Sequence, residues 1–283
     1  MDSIIYPEYI AWEVDVSSLG DSLSCFGKNT AKKIAKSLSL LQSAGFEYRV
    51  ETVNDSYIKK FFPLYESNIL QKDNPRVFDI GADIEKKRSE NFPIEALSLY
   101  QADIYCGGVI YRILEQSISI MYRVFRKDLD IKIPINPSIT ADALLYQKAI
   151  ELKKSLVYHG RDRNLYGLHS SIGLVLFKLQ AGCQPFVSKK ENLLFYSRNK
   201  YDFTAETVKL AETPPLEFHH ILQQDFRFSE DAVLVFLGNK RGESITKAIL
   251  YLKEKRSDLL EKYSLLFDNP YFSTEIVEMN AIR

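Results

Sequence analysis

Hydrophobic and polar positions follow two rhythms along this chain, and the switches between them mark its elements. From Gly27 to Ala44 the apolar positions Ile34, Leu38 and Leu41 recur at helical spacing, and Gly45 supplies the stop. FEYRVETV (46–53) reads as a strand, and Asn54 and Asp55 offer caps for a helix through about Leu70. A further helix is expected over roughly 78–91, ending before Pro93. EALSLYQ, CGGVIYRIL and SISIMYRVF are three β-rich runs separated by short polar turns, an antiparallel pattern. PINPSIT (134–140) reads as a loop whose Thr140 caps the helix ADALLYQKAIELKK. SLVYHG is then a short strand, RDRNLYGLHSS a loop and IGLVLFKLQAG a helix, with a strand starting near Gln184. Residues 46–190 thus predict the order β-α-α-β-β-β-α-β-α-β.

Outside that stretch the pattern is thinner. Residues 1–20 read as extended and aromatic, with Tyr6, Tyr9 and Trp12. Beyond about 190 a polar stretch leads to Pro214 and Pro215, AVLVFL reads as a buried strand, and GNKRGES turns into a helix, ITKAILYLKEKRSDLLEKYSLLF. The expected organisation is one α/β domain over 1–190 and a C-terminal βα extension or small subdomain over 191–283.

Composition narrows the function classes. The 283 residues are 46% hydrophobic and 26% charged, which fits a globular chain and not a disordered one. Lys plus Arg and Asp plus Glu both number 37, so no global charge draws the chain to nucleic acid or anionic membranes. Cys25, Cys106 and Cys183 form no CxxC pair and no pattern with the four histidines, which argues against a metal site and a disulfide framework. MDSIIYPEYI has acids where a secretory signal carries basic residues, and no stretch approaches the roughly 20 apolar residues of a membrane span. The expectation is a soluble, cytoplasmic protein without a metal.

Three segments carry a family resemblance. FGKNTAKKIAKSLSLLQSAGFEYRVE (26–51), with Lys28, Lys32, Lys33 and Lys36 in its helix, resembles the basic helix and first strand of the FemAB-like branch of the GNAT acyltransferases. ITADALLYQKAIELKKSLVYHGR (139–161) resembles that family's later helix and strand, and GLHSSIGLVLFKLQAGCQPF (167–186) its Phe-Lys helix, with Phe177, Lys178 and Gly182 in matching places. The resemblance covers about 26–190 and implies a GNAT-like, mainly antiparallel sheet flanked by helices. It also implies an N-acyltransferase that moves an acyl group from acetyl-CoA, another acyl-CoA or a similar activated donor to a small-molecule amine. In CoA-dependent members a glycine-rich loop cradles the donor's pyrophosphate before the helix near 141. Here the loop is NPSIT, without glycine, so any pyrophosphate would rest on amides at the helix N-terminus. Some FemAB-like relatives take aminoacyl-tRNA instead, the one nucleic acid the resemblance leaves open, and a silent GNAT-like binding module is the alternative outside catalysis.

Acyl transfer needs a base, donors for the oxyanion and a grip on the donor. The densest group of suitable residues lies between Tyr158 and Lys178. His159, at a strand end, is the first candidate base and His169 the second; either is equally at home as a packing or capping residue. Tyr166 is positioned by the resemblance to protonate a leaving thiolate, or else serves the core. Arg161 and Arg163 suit a phosphate or carboxylate, or pair with Asp162. Lys178 either contacts the donor or snorkels from its helix, and Ser171, with Ser170, either meets the donor or caps that helix. Gly107 and Gly108 leave room for a substrate or simply make a turn. Lys240 and Arg241 in GNKRGES form a weaker phosphate candidate.

Overall fold

The computed structural model describes residues 4–5, 7, 9–71, 77–164, 166–167, 170–187, 232–239, 244–252 and 256–278. Contacts divide the chain into two units, Val14–Gly160 and Met1–Glu13 with Arg161–Arg283. The boundary expected near 190 lies outside the described residues.

In the first unit, α1 (Lys28–Ser43) leads into β3 (Phe46–Thr52), α2 (Asp55–Leu70) and α3 (Ile80–Arg88). Strands β4 (Ile94–Gln101), β5 (Ile104–Ile113) and β6 (Ser117–Phe125) follow, then α4 (Pro137–Glu151) and β7 (Leu156–Arg163), which runs on past the unit's end. The strands stand in the order β3-β4-β5-β6-β7; β3 through β6 are antiparallel and β7 is parallel to β6. Helices α2 and α3 cover one face with Tyr57, Phe61, Tyr65, Ile80 and Ile84, packed on Ile94, Ala96, Ile110 and Val124. Alternate residues of the same strands point to α4: Glu95 meets Lys148 at 2.6 Å, and Arg123 meets Asp142 at 2.9 Å. The expected mixed fold, a mainly antiparallel sheet flanked by helices, is present.

Local signals set most boundaries. Gly27 caps α1, and Gly45 at φ 76° reverses the chain into β3. Asn54 caps α2 by accepting from Tyr57 N at 2.9 Å. At α4 the expectation needs correcting. The helix starts three residues earlier than Thr140, with Asn136 as cap and Pro137 at its first position, where proline's fixed φ fits and its missing N–H costs nothing. Thr140 instead lies inside the helix and donates to Pro137 O at 2.8 Å. Gly107 and Gly108 are explained by the protein's own packing. A Cβ at Gly107 (φ 126°) would sit 2.3 Å from Val124 O, and one at Gly108 would sit 2.9 Å from the Tyr57 hydroxyl.

The second unit holds a four-stranded sheet in the order β1-β9-β10-β11: β1 (Ile4–Ile5), β9 (Ala232–Asn239), β10 (Ile245–Leu252) and β11 (Ser273–Glu278). In the same unit Ile10–Glu13 of β2 (Tyr9–Asp15) pairs antiparallel with β8 (Gln184–Val187), and α5 spans Ile172–Gln180. The helix expected from residue 245 is corrected: ITKAILYL is strand β10, antiparallel to β9 and parallel to β11. Flanked on both edges, it ends in the buried apolar run AILYL, whose periodicity does not separate helix from strand. Among the described residues beyond it, the α-helix Ser257–Lys262 (α6) and a 3-10 turn at Ser264–Leu266 precede β11, so β9, β10, α6 and β11 replace the single βα unit expected.

Candidate functional site

Strands β6 and β7 are parallel neighbours, yet among the described residues their ladder covers only Ser117–Ser119 against Leu156–Tyr158. Just beyond, β6 carries a bulge: Ile110 and Tyr111 face Tyr122 and Ile120, leaving Met121 as the extra residue. A bulge bends its strand and increases the local twist, a physical reason for β6 to leave its partner there. Where the backbone ladder has ended, side chains bridge the strands. Arg123 of β6 donates from Nη2 to Nδ1 of His159 on β7 at 3.2 Å, and from Nη1 to Oδ2 of Asp142 on α4 at 2.9 Å. Tyr146, one turn after Asp142, lies with its hydroxyl 2.8 Å from His159 Nε2 and stacks on Phe26.

The chemistry of this cluster follows from its donors. A guanidinium donates only, so His159 Nδ1 accepts, and the neutral imidazole carries its proton on Nε2 and donates it to Tyr146. Asp142 is fully buried, and its Oδ1 has no hydrogen-bond partner. Burial pushes its carboxyl up, against the pull of Arg123. The Arg123 side chain keeps 22% of its exposure while its acid has none. The cluster therefore has a buried, anchored end and a cationic end within reach of solvent.

The N-terminus of α4, where the resemblance places a donor's pyrophosphate, has its own amides engaged. Pro137 has no N–H, Ser138 N donates to Asn136 Oδ1 at 2.8 Å, and Ile139 N and Thr140 N donate to Asn136 O at 2.9 and 3.5 Å. The Tyr48 hydroxyl, close to Thr140 Oγ1 at 2.6 Å, adds further protein contact there. A phosphate-binding helix terminus needs amides that point outward unengaged, so these residues do not fit a CoA pyrophosphate at this helix end.

The other predicted site residues lie in the second unit. Tyr166 is wholly buried, accepts from Trp12 Nε1 at 3.1 Å and donates to Asp162 Oδ2 at 3.2 Å. Lys178 donates to the same oxygen at 2.7 Å and lies 5.5 Å from the Trp12 ring centroid. Tyr166 and Lys178 are thus brought together through Asp162. Ser171 caps α5 by accepting from Gly173 N at 3.0 Å. Arg161 is exposed and sits over the Tyr9 ring at 5.6 Å, and Arg163 is half-buried at the end of β7. Both arginines lie on a strand where a loop was expected. His169, Lys240 and Arg241 lie outside the described residues.

Sequence reading missed Arg123, Asp142 and Tyr146. A signal existed for two of them: Asp142 and Tyr146 are four residues apart in an otherwise small and apolar stretch, on one helix face. An acid on the buried face of a helix requires a partner. Arg123 gave no comparable signal, because its role depends on where β6 bends.

No protein-family model matches the chain, and no curated protein matches it. Among solved structures it is similar to FemX (12% identity, TM-score 0.49, 64% of this chain and 60% of that one). It is also similar to L-PGS from Bacillus licheniformis (15%, 0.39, 75% and 59%). A third likeness is to a tandem GNAT protein from the clavulanic acid biosynthesis pathway (9%, 0.34, 64% and 50%). In each case the chain spans at most three fifths of the other's length, and at such scores the likenesses carry no reaction or substrate over to it. No helix among the described residues is long and apolar enough to cross a membrane. The chain is an α/β protein whose first unit is a mainly antiparallel sheet flanked by helices.

Proposed function

We propose that this chain transfers an acyl group from an activated donor to an amine, with the reacting groups meeting where β6 and β7 part. The carrying observation is the bridge at that place: a guanidinium held by a buried carboxylate on one side and an imidazole on the other. In acyl transfer the amine nitrogen attacks the carbonyl carbon, negative charge develops on the carbonyl oxygen, and the bond to the leaving group breaks as the amine's proton passes, by way of solvent, to the departing thiolate or alkoxide. A fixed cation beside the developing oxyanion stabilises that state. Arg123 takes this role, and Asp142 and His159 act as positioning residues that fix its plane. With Nδ1 accepting from Arg123, His159 orients the cation and does not serve as the base. Tyr166 and Lys178, bound to one buried carboxylate, hold the second unit together.

The donor is one whose grip does not depend on the α4 amides. Aminoacyl-tRNA is favoured by a specific observation: Lys28, Lys32, Lys33 and Lys36 are all exposed on α1, a helix without a single acid. To test the reading, the protein is offered acyl-CoA thioesters and aminoacyl-tRNA in turn, each with a set of primary amines, and amide products are read by mass spectrometry. Amide formation that collapses in Arg123→Gln supports it. Amide formed equally well by wild type and Arg123→Gln sinks the assignment of the site. Thermal stabilisation by one thioester, about 2.7 kcal/mol at a hundredfold excess over its Kd, would overturn the donor argument.

A further inference from the structure

The α2-covered face of the first unit's sheet holds a second charged constellation, independent of the Arg123 cluster. Lys60, on α2, donates from Nζ to Glu51 Oε1 at 2.5 Å and to the Tyr100 hydroxyl. Three aromatic rings surround the same nitrogen, with centroids 4.6 Å (Tyr57), 5.1 Å (Tyr100) and 5.3 Å (Tyr105) away. The rings brace one another edge to face: Tyr57 with Tyr105 at 85° and Tyr100 with Tyr105 at 68°. Ser98 fixes the Tyr57 hydroxyl at 3.0 Å, in the space that only a glycine at 108 leaves. Tyr100 also donates to Glu51 Oε2 at 3.0 Å.

Three π faces and one carboxylate around one point are the chemistry that selects an ammonium ion. The walls do not depend on Lys60 for their arrangement, because the hydroxyl and ring contacts above join them to each other. The box is also open: the Lys60 and Glu51 side chains keep 30% and 28% of their exposure. A lysine head in so open a place can leave for water, its long stem turning about several bonds. We propose that Tyr57, Tyr100, Tyr105 and Glu51 form a binding site for primary alkylammonium ions, of which Lys60 is the tethered, displaceable occupant. A primary ammonium is favoured over a quaternary one because two of the contacts, to Glu51 and Tyr100, are accepted hydrogen bonds that need N–H donors. Tethering gives Lys60 a millimolar effective concentration, so it competes with any free amine and weakens its binding.

The experiment titrates full-length protein carrying ring-13C tyrosine with butylammonium, and with tetramethylammonium, at constant ionic strength. The Tyr57, Tyr100 and Tyr105 resonances are followed. In wild type, butylammonium shifts these three and moves the Lys60 ε-methylene signal toward its free position. Lys60→Ala empties the box and binds butylammonium at least about twofold more tightly than wild type, the factor expected when the tethered head's effective concentration equals its dissociation constant for the box. Lys60→Met, which keeps the stem in place, shows no such gain, and Glu51→Gln loses the binding. Equal affinity in wild type and Lys60→Ala, a preference for tetramethylammonium, or binding unaffected by Glu51→Gln would each overturn the proposal. Should Lys60→Ala fail to fold, displacement of Lys60 in wild type decides: unmoved tyrosine and Lys60 signals at saturating amine end it.

Discussion

Among the described residues, two acid–base pairs with little or no exposure of the acid look alike on paper and differ in how far the cation is closed off. In the second unit, Asp162 receives Lys178 and Tyr166 on one oxygen, and Lys178 and Tyr166 both reach Trp12; the lysine and the acid keep 6% and 11% of their exposure. Nearby, Asn164 ties Pro7 and Phe236 together through three bonds of 2.6–2.7 Å. In the first unit, Asp142 has no exposure and leaves Oδ1 without a partner, while Arg123 extends from it toward solvent. The first arrangement closes on itself; the second presents a cation outward from an anchored base. Burial of charge alone does not separate a structural pair from a functional one. What separates them is how much of the cation stays within reach of solvent: 22% of the Arg123 side chain against 6% of Lys178.

Breaking the closed pair has the largest expected effect on stability. Lys178→Ala leaves Asp162 buried without its cation and lowers the unfolding free energy by about 3–5 kcal/mol, read by chemical denaturation. The double variant Lys178→Met, Asp162→Asn recovers most of that loss, because no charge is then stranded. A Lys178→Ala variant as stable as wild type would remove the structural reading of this cluster. For the open pair the ranking inverts between stability and activity. Arg123→Met lowers amide formation by about a hundredfold or more, the usual effect of losing one oxyanion donor. Its stability loss stays smaller than that of Lys178→Ala, since Asp142 has protonation as an outlet.

That outlet has a sign that can be measured. Burial raises the folded-state pKa of Asp142 above its unfolded value of about 3.9, so the folded protein favours the protonated form. Below the unfolded value this group has no influence on stability. As pH rises above about 4 the unfolded chain ionises first, and stability is lost until the folded pKa is passed. Glu51 and Glu95 act the other way. Burial raises them, but their lysine and tyrosine partners bring both below the ordinary carboxylate range. Subtracting the Asp142→Asn curve from wild type isolates the Asp142 contribution. The difference should fall with pH from about 4 upward, and fall further in the Arg123→Met background, where no cation opposes the burial. A difference that rises with pH would show that Arg123 outweighs burial.

Much of the fold was legible because its signals are local. α1 with its Gly45 stop, α2 with its Asn54 cap and the strand SISIMYRVF fall where the spacing predicts them. Legibility ended where a decision depended on neighbours far along the chain. ITKAILYL is a strand because β9 and β11 flank it, a fact that its own eight residues do not encode. The candidate site was legible only in part. His159 was visible as a histidine at a strand end, but its two ring partners, Arg123 and Tyr146, are 36 and 13 residues away. Tyr166 and Lys178 were singled out for chemistry, and both donate to one oxygen of Asp162. Residue type indicates what a side chain is able to do; only its partners show what it has left to do it with.

The smallest expected effect on stability belongs to α1, and it is the sharpest test of the donor. Lys28, Lys32 and Lys36 are spaced four apart and so stack along one face, with Lys33 alongside, opposite the buried Ile34, Ser37 and Leu41. Among the described residues none of the four is in an ion pair of this structure. Exchanging all four for Gln therefore changes the unfolding free energy by no more than about 0.5 kcal/mol per site, since exposed lysines without partners contribute little. Their effect on a polyanion is of another kind. Each lysine that neutralises a phosphate lowers the log–log slope of affinity against salt by about one, so the fourfold variant should bind tRNA more weakly and with a visibly flatter salt dependence. The measurement is a tRNA binding isotherm at several salt concentrations for wild type and variant. Parallel slopes would mean that the stripe is only a solvated helix face, and that the donor must be sought among small activated acyl groups held elsewhere on the sheet.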